Sequence, residues 1–126
     1  MQIRPKATLL EQCHEDKTKI SKGIHIHAMC AHPYINKLHY AFHTDRLSMT
    51  VTDLSSCGDL ARALRFTFNG LFSPDRVVFY AAEMASALLH LHKFGLVFYD
   101  LNPSNILLRS SGHISLADMS SVAGSF

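Results

Sequence analysis

The chain has 126 residues, of which 48% are apolar and 17% are charged, and its formal net charge is +2. This length fits about one domain with a single modest core, and the composition is that of a globular protein. The net charge is too small, and the Lys and Arg residues too scattered, for nucleic acid or an anionic membrane to be the main partner.

The cysteines and the apolar runs bear on the compartment. Cys13, Cys30 and Cys57 show no paired spacing, which indicates neither a disulfide framework nor a zinc ribbon. No stretch approaches the roughly 18 apolar residues of a membrane span, and the N-terminal residues lack the apolar core of a signal peptide. We therefore predict a cytoplasmic protein without a transmembrane segment.

Two His-x-His pairs, His25 with His27 and His90 with His92, raise the question of a metal site. Residues two positions apart on a helix point in nearly opposite directions, so such a pair chelates well only from a strand. His90 and His92 lie in a predicted helix. Packed or surface histidines are the better interpretation.

The first half of the chain predicts mainly β-structure. Residues 1–13 predict a strand, and residues 14–31 a weak helix with Gly23 in its middle. Two β-rich runs, INKLHYAF and LSMTVTDL, are joined by the polar turn HTDR and predict a β-hairpin. A short helix is predicted after Gly58, and the segment RFTFNGLF predicts a loop because it contains Asn-Gly.

The clearest element is a long helix over residues 74–93. Ser73 suits the cap position, and Pro74 suits the first helical position. Apolar residues recur at alternating spacings of four and three, which predicts one buried stripe formed by Val77, Ala81, Met84, Leu88 and Leu91.

Three short β-rich pieces, LVFYDL, NILLRSS and GHISLAD, follow this helix. Asn102-Pro103 separates the first two, and Ser111-Gly112 predicts the tight turn of a second hairpin. The tail MSSVAGSF predicts no element. This order of strands and helices indicates an α+β fold.

The segment YDLNPSNILL and the residues on to LAD resemble the catalytic loop and metal-binding strand of the eukaryotic protein kinases. The family pattern H-R-D-L-x-x-x-N is followed by a hairpin and by D-F-G. Here Asp100 and Asn105 are five positions apart, and Asn105 and Asp118 are thirteen apart. The resemblance is firm over residues 32–118. Within the family, the sequence is similar to the AGC group. It most resembles the G-protein-coupled receptor kinases, on the motifs YAFHT, GDL, FYAAE and NILL.

The resemblance implies a partial protein-kinase fold within the α+β class: the end of the N-lobe sheet, the hinge, the long C-lobe helix, the catalytic loop and a small β-hairpin. Residues 1–126 would form an incomplete kinase domain that uses ATP and Mg²⁺ to phosphorylate serine or threonine hydroxyls of proteins. Asp100 would orient the hydroxyl, while Asn105 and Asp118 would hold Mg²⁺. Arg4, at the position of the third-strand lysine, and Asp59 would contact ATP. The alternative is that these Asp and Asn residues only form turns.

Several positions depart from the family pattern. Each departure removes a group that supports phosphoryl transfer in the family. Phe98-Tyr99 replaces His-Arg, and Asn102 replaces a lysine that contacts the γ-phosphate. Met119-Ser120 replaces Phe-Gly, and Gly23 stands near the position where the family has the αC glutamate. The sequence also contains no glycine-rich loop and no A-P-E motif. We therefore expect an incomplete and catalytically impaired kinase.

The sequence leaves two functions open. The first is a serine/threonine kinase domain with weak ATP and Mg²⁺ binding. The second is a non-catalytic, kinase-like interaction module that binds a kinase, a receptor or a second copy of itself through an exposed face of helix 74–93. A truncated gene model is a third explanation for the short chain.

Overall fold

The computed structural model describes residues 2–5, 24–43 and 47–124. Its helices are α1, described over residues 24–29, α2 (Leu60–Arg65) and α3 (Pro74–Lys93). Its strands are β1 (Gln2–Pro5), β2 (Leu38–His43), β3 (Leu47–Thr52), β4 (Leu96–Phe98), β5 (Ile106–Leu108), β6 (Ile114–Leu116) and β7 (Val122–Gly124). Short antiparallel strand pairs with a separate long helix confirm the predicted α+β class.

The first sheet has the strand order β1-β3-β2, with both pairings antiparallel. The predicted hairpin is confirmed by β2 and β3, whose connecting residues 44–46 lie outside the described parts of the chain. The strand predicted within residues 1–13 is confirmed at β1, whose Ile3 lies opposite Met49. Of the weak helix predicted over residues 14–31, residues 24–29 are helical and residues 14–23 lie outside the described residues.

The predicted long helix is confirmed with the predicted bounds. Helix α3 begins at Pro74 and ends at Lys93, although the Ser73 side chain makes no capping hydrogen bond. Gly95 has a φ of 67°, a left-handed conformation that glycine adopts without steric cost and that turns the chain out of the helix.

The predicted buried stripe of α3 is wrong over its first half. The buried residues are Tyr80, Glu83, Ala87 and Leu91, whereas Val77 is 51% exposed. The fully buried face is therefore displaced by about one residue from the predicted stripe. The stripe is confirmed in its second half, where Leu91 is buried and Met84 and Leu88 are partly buried against the core. Apolar spacing cannot distinguish adjacent helix faces when both carry apolar residues, and the packing partner decides which face is covered.

Strand β6 is the most completely buried element among the described residues. Ile114, Ser115 and Leu116 are each 0% exposed. On one edge β6 pairs with β5, which confirms the predicted second hairpin. On the other edge the Leu116 N–H donates to the Tyr34 carbonyl at 2.8 Å, and the Leu116 carbonyl accepts from the Asn36 N–H at 2.8 Å.

The core assembles around this strand. It joins residues from the segment after α1, from α2 and α3, from the last four strands and from the turn before β7: Cys30, Ile35, Leu60, Tyr80, Ala87, Leu91, Phe98, Ile106, Ile114, Leu116, Met119 and Val122. The elements near the predicted catalytic loop are thus held by one continuous apolar cluster.

The prediction of no element in the tail MSSVAGSF is wrong. Residues Val122–Gly124 form β7, which pairs antiparallel with β4 so that Phe98 lies opposite Val122. A three-residue strand that ends in glycine has no period-2 pattern to reveal it. Its partner β4 supplies the hydrogen bonds, and the paired residues Phe98 and Val122 are 24 positions apart in the chain. Among the helices of the described residues, none combines the length and apolarity needed to cross a bilayer.

Two histidines after β1 are placed against the core. His27 is buried and its Nε2 donates to the Asn36 carbonyl. Burial lowers the pKa of His27 and outweighs this hydrogen bond, which raises it. Burial also lowers the pKa of His32, and the nearby positive charges of His90 and Lys93 lower it further.

Replacing Leu91 with alanine is expected to lower the free energy of unfolding by about 2–5 kcal/mol, because it leaves a cavity in the core. Leu89→Ala is the matched control on the same helix, since Leu89 is 61% exposed and Leu91 is 0% exposed. The control should change the free energy by less than about 0.5 kcal/mol. Urea unfolding followed by circular dichroism measures both, and equal effects would contradict the described packing.

Acidification is expected to destabilise the chain through His27 and His32. Because their folded pKa values are lowered, the unfolded state binds more protons as the pH falls below about 6.5, so stability is complete above that pH and decreases below it. Urea unfolding as a function of pH should show a smaller loss for a His27→Gln, His32→Gln double variant. His25→Gln, on an exposed position of α1, should keep the wild-type loss; an unchanged loss in the double variant would exclude this origin.

Candidate active site

The loop between β4 and β5 brings the predicted catalytic aspartate and asparagine into direct contact. The Nδ2 of Asn105 donates to the Asp100 backbone carbonyl at 2.9 Å and to Asp100 Oδ2 at 3.0 Å. Asn102 Nδ2 donates to the other carboxylate oxygen, Oδ1, at 2.9 Å. The two amides therefore fix the orientation of the Asp100 carboxylate.

Asn102 also determines the course of the loop. Its Oδ1 accepts from the Ser104 N–H at 2.9 Å, which caps a 3₁₀ turn over Pro103–Asn105. Proline suits the first position of this turn because its fixed φ is already helical and its missing N–H would have no partner there. The Asn105 N–H then donates to the Asn102 carbonyl at 3.0 Å. One asparagine thus both folds the turn and holds the aspartate.

Asp118 is brought to the same loop by the second hairpin. The Ala117 N–H donates to the Asn105 carbonyl at 2.9 Å, which places the residue before Asp118 against Asn105. Asp118 has a φ of 55° and a ψ of 59°, a left-handed conformation that is uncommon outside glycine and that is concentrated at functional sites. The Ser121 N–H closes the following turn by donating to the Asp118 carbonyl at 3.2 Å.

These residues fit a magnesium ion in the type of atom that they offer. Mg²⁺ prefers oxygen ligands and keeps several waters, so it needs few protein groups beside phosphate oxygens. The Asn105 amide nitrogen is bonded to Asp100, so Oδ1 is the atom with which this amide would ligate a cation. The Asp118 carboxylate would supply the charged ligand. Both side chains are partly exposed.

The departures from the family pattern have different structural consequences. Phe98 is 7% exposed and Met119 is 3% exposed, so both pack in the core and fill their positions. Tyr99 is 66% exposed, and only its backbone is fixed, through a hydrogen bond from its N–H to the Ser121 carbonyl at 2.9 Å. The loss of the arginine at Tyr99 is therefore not offset by a buried contact.

The remaining predicted site residues lie on neighbouring elements. Asp59 is the N-cap residue of α2, where its Oδ1 accepts from the Arg62 N–H at 2.7 Å. It also forms an isolated antiparallel bridge with Leu107 of β5. Arg4 lies in β1 opposite Ser48. Contact of Asp59 and Arg4 with ATP stays a prediction, and Gly23 lies outside the described residues.

A polar network at the end of β3 connects the first sheet to the second hairpin. Asp53 Oδ1 lies 2.6 Å from His39 Nε2, and Asp53 Oδ2 lies 3.9 Å from Arg109 Nη2. The hydrogen bond from His39 is the main reason why the pKa of Asp53 is lowered, and the charges of His39 and Arg109 add to it. Because the three side chains are 32–39% exposed, we expect these pairs to contribute little stability.

The His-x-His pairs do not form a metal site in the described parts of the chain, where no three metal-binding side chains cluster. His27 is buried while His25 is exposed, so the two point away from each other. His90 contacts the ring of His32, with ring centroids 4.8 Å apart, while His92 is exposed.

Comparison with known proteins agrees with this geometry. Residues 6–123 match the family described as protein kinase domain. A putative ribosomal protein S6 kinase alpha-1 of Caenorhabditis elegans is 42% identical over 118 residues, which cover 94% of this chain and 14% of the relative. Human ribosomal protein S6 kinases alpha-3 and alpha-2 are 41% and 40% identical over 94% of this chain and 15% of each relative. The chain spans about one seventh of the length of these curated relatives.

These relatives correct the narrower resemblance to the G-protein-coupled receptor kinases, because they are ribosomal protein S6 kinases. In the structure, Asp59 of GDL caps α2, and Ile106–Leu108 of NILL forms β5, so both motifs have a role in the fold. From the family match, the identities and the partial kinase architecture, the chain belongs to the protein kinase domain family.

Proposed function

We propose that this chain carries the magnesium-binding and hydroxyl-orienting residues of a serine/threonine protein kinase that transfers phosphate from ATP to protein hydroxyls. Asp100 would be the catalytic residue, and Asn105 and Asp118 the metal ligands. Arg4 and Asp59 would contact the nucleotide. The observation that supports this most is the Asp100–Asn105 contact, joined by the Ala117–Asn105 hydrogen bond that draws Asp118 to the same loop.

The chemistry assigned to Asp100 is to accept a hydrogen bond from the substrate hydroxyl and to orient it toward the phosphate. A bound Mg²⁺ would neutralise charge on the phosphate oxygens. Asn105 links the two tasks, because its amide nitrogen holds Asp100 while its amide oxygen is available in type for the metal. Because Asn102 donates to Asp100 Oδ1 and Asn105 donates to Oδ2, an incoming hydroxyl would share either oxygen with an amide.

We further propose that catalysis is impaired. Asn102 is neutral where a lysine would offset charge on the γ-phosphate, and its amide is engaged by Asp100 and Ser104. Tyr99 cannot pair with an activation-loop phosphate as arginine does. Since phosphoryl transfer depends on positioning and electrostatics, each loss lowers the rate, while weak Mg²⁺–ATP binding can persist. A cytoplasmic location stays part of the proposal.

Mg²⁺–ATP is expected to stabilise the purified chain. A dissociation constant of about 1 mM and about 10 mM ligand would add about 1.4 kcal/mol, which raises the Tm by about 5 °C. Asp118→Asn should lose most of the magnesium-dependent part of this shift in differential scanning fluorimetry. Asp75→Asn, on the exposed first turn of α3, should retain it. An absent shift for the unaltered chain would refute nucleotide binding.

A second function, that of a non-catalytic interaction module, is favoured by one specific surface. One face of α3 presents apolar side chains to solvent, with Val78 67% and Leu89 61% exposed, and Val77 on the adjacent face is 51% exposed. Apolar surface of this kind marks sites that a protein partner covers. Self-association through α3 is one form of this proposal.

The two functions predict opposite outcomes for two variants. If the chain acts by binding, Leu89→Asp should abolish its association with partners in cells, measured by proximity labelling, while Asp100→Ala should leave it unchanged. If the chain acts by phosphoryl transfer, Asp100→Ala should abolish its effect on substrate phosphorylation and Leu89→Asp should not. Leu89 serves this test better than Leu88, because Leu88 is partly buried against the core and its replacement would also destabilise the fold.

A further inference from the structure

A buried carboxylate on α3 joins this helix to the strand that precedes Asp118. Glu83 is 5% exposed. Its Oε2 accepts from the Ile114 N–H at 2.9 Å, and its Oε1 lies 2.5 Å from Nδ1 of His113. Burial of a carboxylate is unfavourable unless both oxygens are hydrogen bonded, and here both are.

The Ile114 N–H has a particular place in the second hairpin. Residues 113 and 117 bond across to β5, since Arg109 N–H donates to the His113 carbonyl and Ala117 N–H to the Asn105 carbonyl, both at 2.9 Å. Backbone groups of Ile114 and Leu116 therefore face the opposite edge. On that edge Leu116 is bonded by the backbone of residues 34 and 36, and Ile114 by the Glu83 side chain.

His113 strengthens the same connection. Its ring lies 5.6 Å from that of Phe79 on α3 and 6.1 Å from that of Tyr34, measured between centroids. Phe79 is four residues before Glu83, so one face of the helix contacts His113 twice. The start of β6 is thus attached to α3 by a backbone hydrogen bond, a side-chain hydrogen bond and a ring contact.

We propose that Glu83 is a positioning residue for the two proposed metal ligands, Asn105 and Asp118. By fixing the start of β6 on α3, it sets the register in which the Ala117 N–H bonds the Asn105 carbonyl and Asp118 reaches the predicted catalytic loop. Only the effect on metal binding rests on the proposed function. The register of the hairpin can be measured whether or not the chain binds a metal. A strand of this length is short enough for a displacement at Ile114 to be transmitted to Ala117, about 10 Å further along.

Amide hydrogen exchange, read by NMR on the whole chain, tests the positioning. Glu83→Ala should speed exchange of the Ala117 amide about tenfold more than that of the Tyr99 amide, because the lost partner leaves one edge of β6 unsatisfied. Glu83→Gln keeps an acceptor for the Ile114 N–H and should stay within about threefold of wild type. Met84→Ala, the next residue on the helix and half-buried against the core, controls for lost packing and should speed both amides equally.

The second readout is Mn²⁺ affinity in the presence of ATP, measured by electron paramagnetic resonance. Glu83→Ala should weaken it about tenfold, as loss of a group that orients a ligand does, while Glu83→Gln and Met84→Ala should not. The inference is overturned if Glu83→Ala and Met84→Ala affect Ala117 alike, if Glu83→Gln behaves as Glu83→Ala, or if Mn²⁺ affinity is unchanged in Glu83→Ala. If the wild-type chain binds no Mn²⁺ with ATP, the proposed function fails, and the exchange rates alone decide whether Glu83 sets the register.

Discussion

Both edges of β6 are hydrogen bonded, and the arrangement of the predicted site depends on this constraint. The three side chains of β6 are excluded from solvent, so its backbone groups have to find partners within the protein. They find them in β5, in residues 34 and 36, and in the Glu83 carboxylate. Segments that are far apart in the chain therefore meet at one short strand, and Asp118 lies two residues after its end.

The predicted catalytic loop, by contrast, is held mainly by its own side chains. Asn102 and Asn105 donate to Asp100, and Asn102 accepts from the backbone of Ser104. This arrangement fixes the orientation of the Asp100 carboxylate while the residue remains exposed to solvent. The same hydrogen bonds hold the neutral Asn102 amide beside Asp100, and under the proposed function this amide replaces a charge that would assist transfer.

Local signals predicted much of this molecule, because they act over a few residues. Pro74 marks the start of α3, and Gly95 marks its end. The Ser111-Gly112 turn marks the second hairpin. The spacing of Asp100, Asn105 and Asp118 predicted a common site, and the Ala117–Asn105 hydrogen bond brings the three onto one loop and its neighbouring strand. The role of Asn102 was recognisable only as a lost lysine, since its side-chain partners, Asp100 and Ser104, depend on how the loop folds.

The sequence by itself determined most of the helices and strands, where most of them turn, and which polar residues are candidates for the site, because propensity, caps and motif spacing are local properties. Tertiary structure alone decided which face of α3 is buried, that residues 122–124 pair with β4, and that Glu83 lies on the buried face. These outcomes depend on partners far along the chain. A carboxylate among apolar helix residues becomes a buried hydrogen-bond acceptor only when a strand presents an N–H to it.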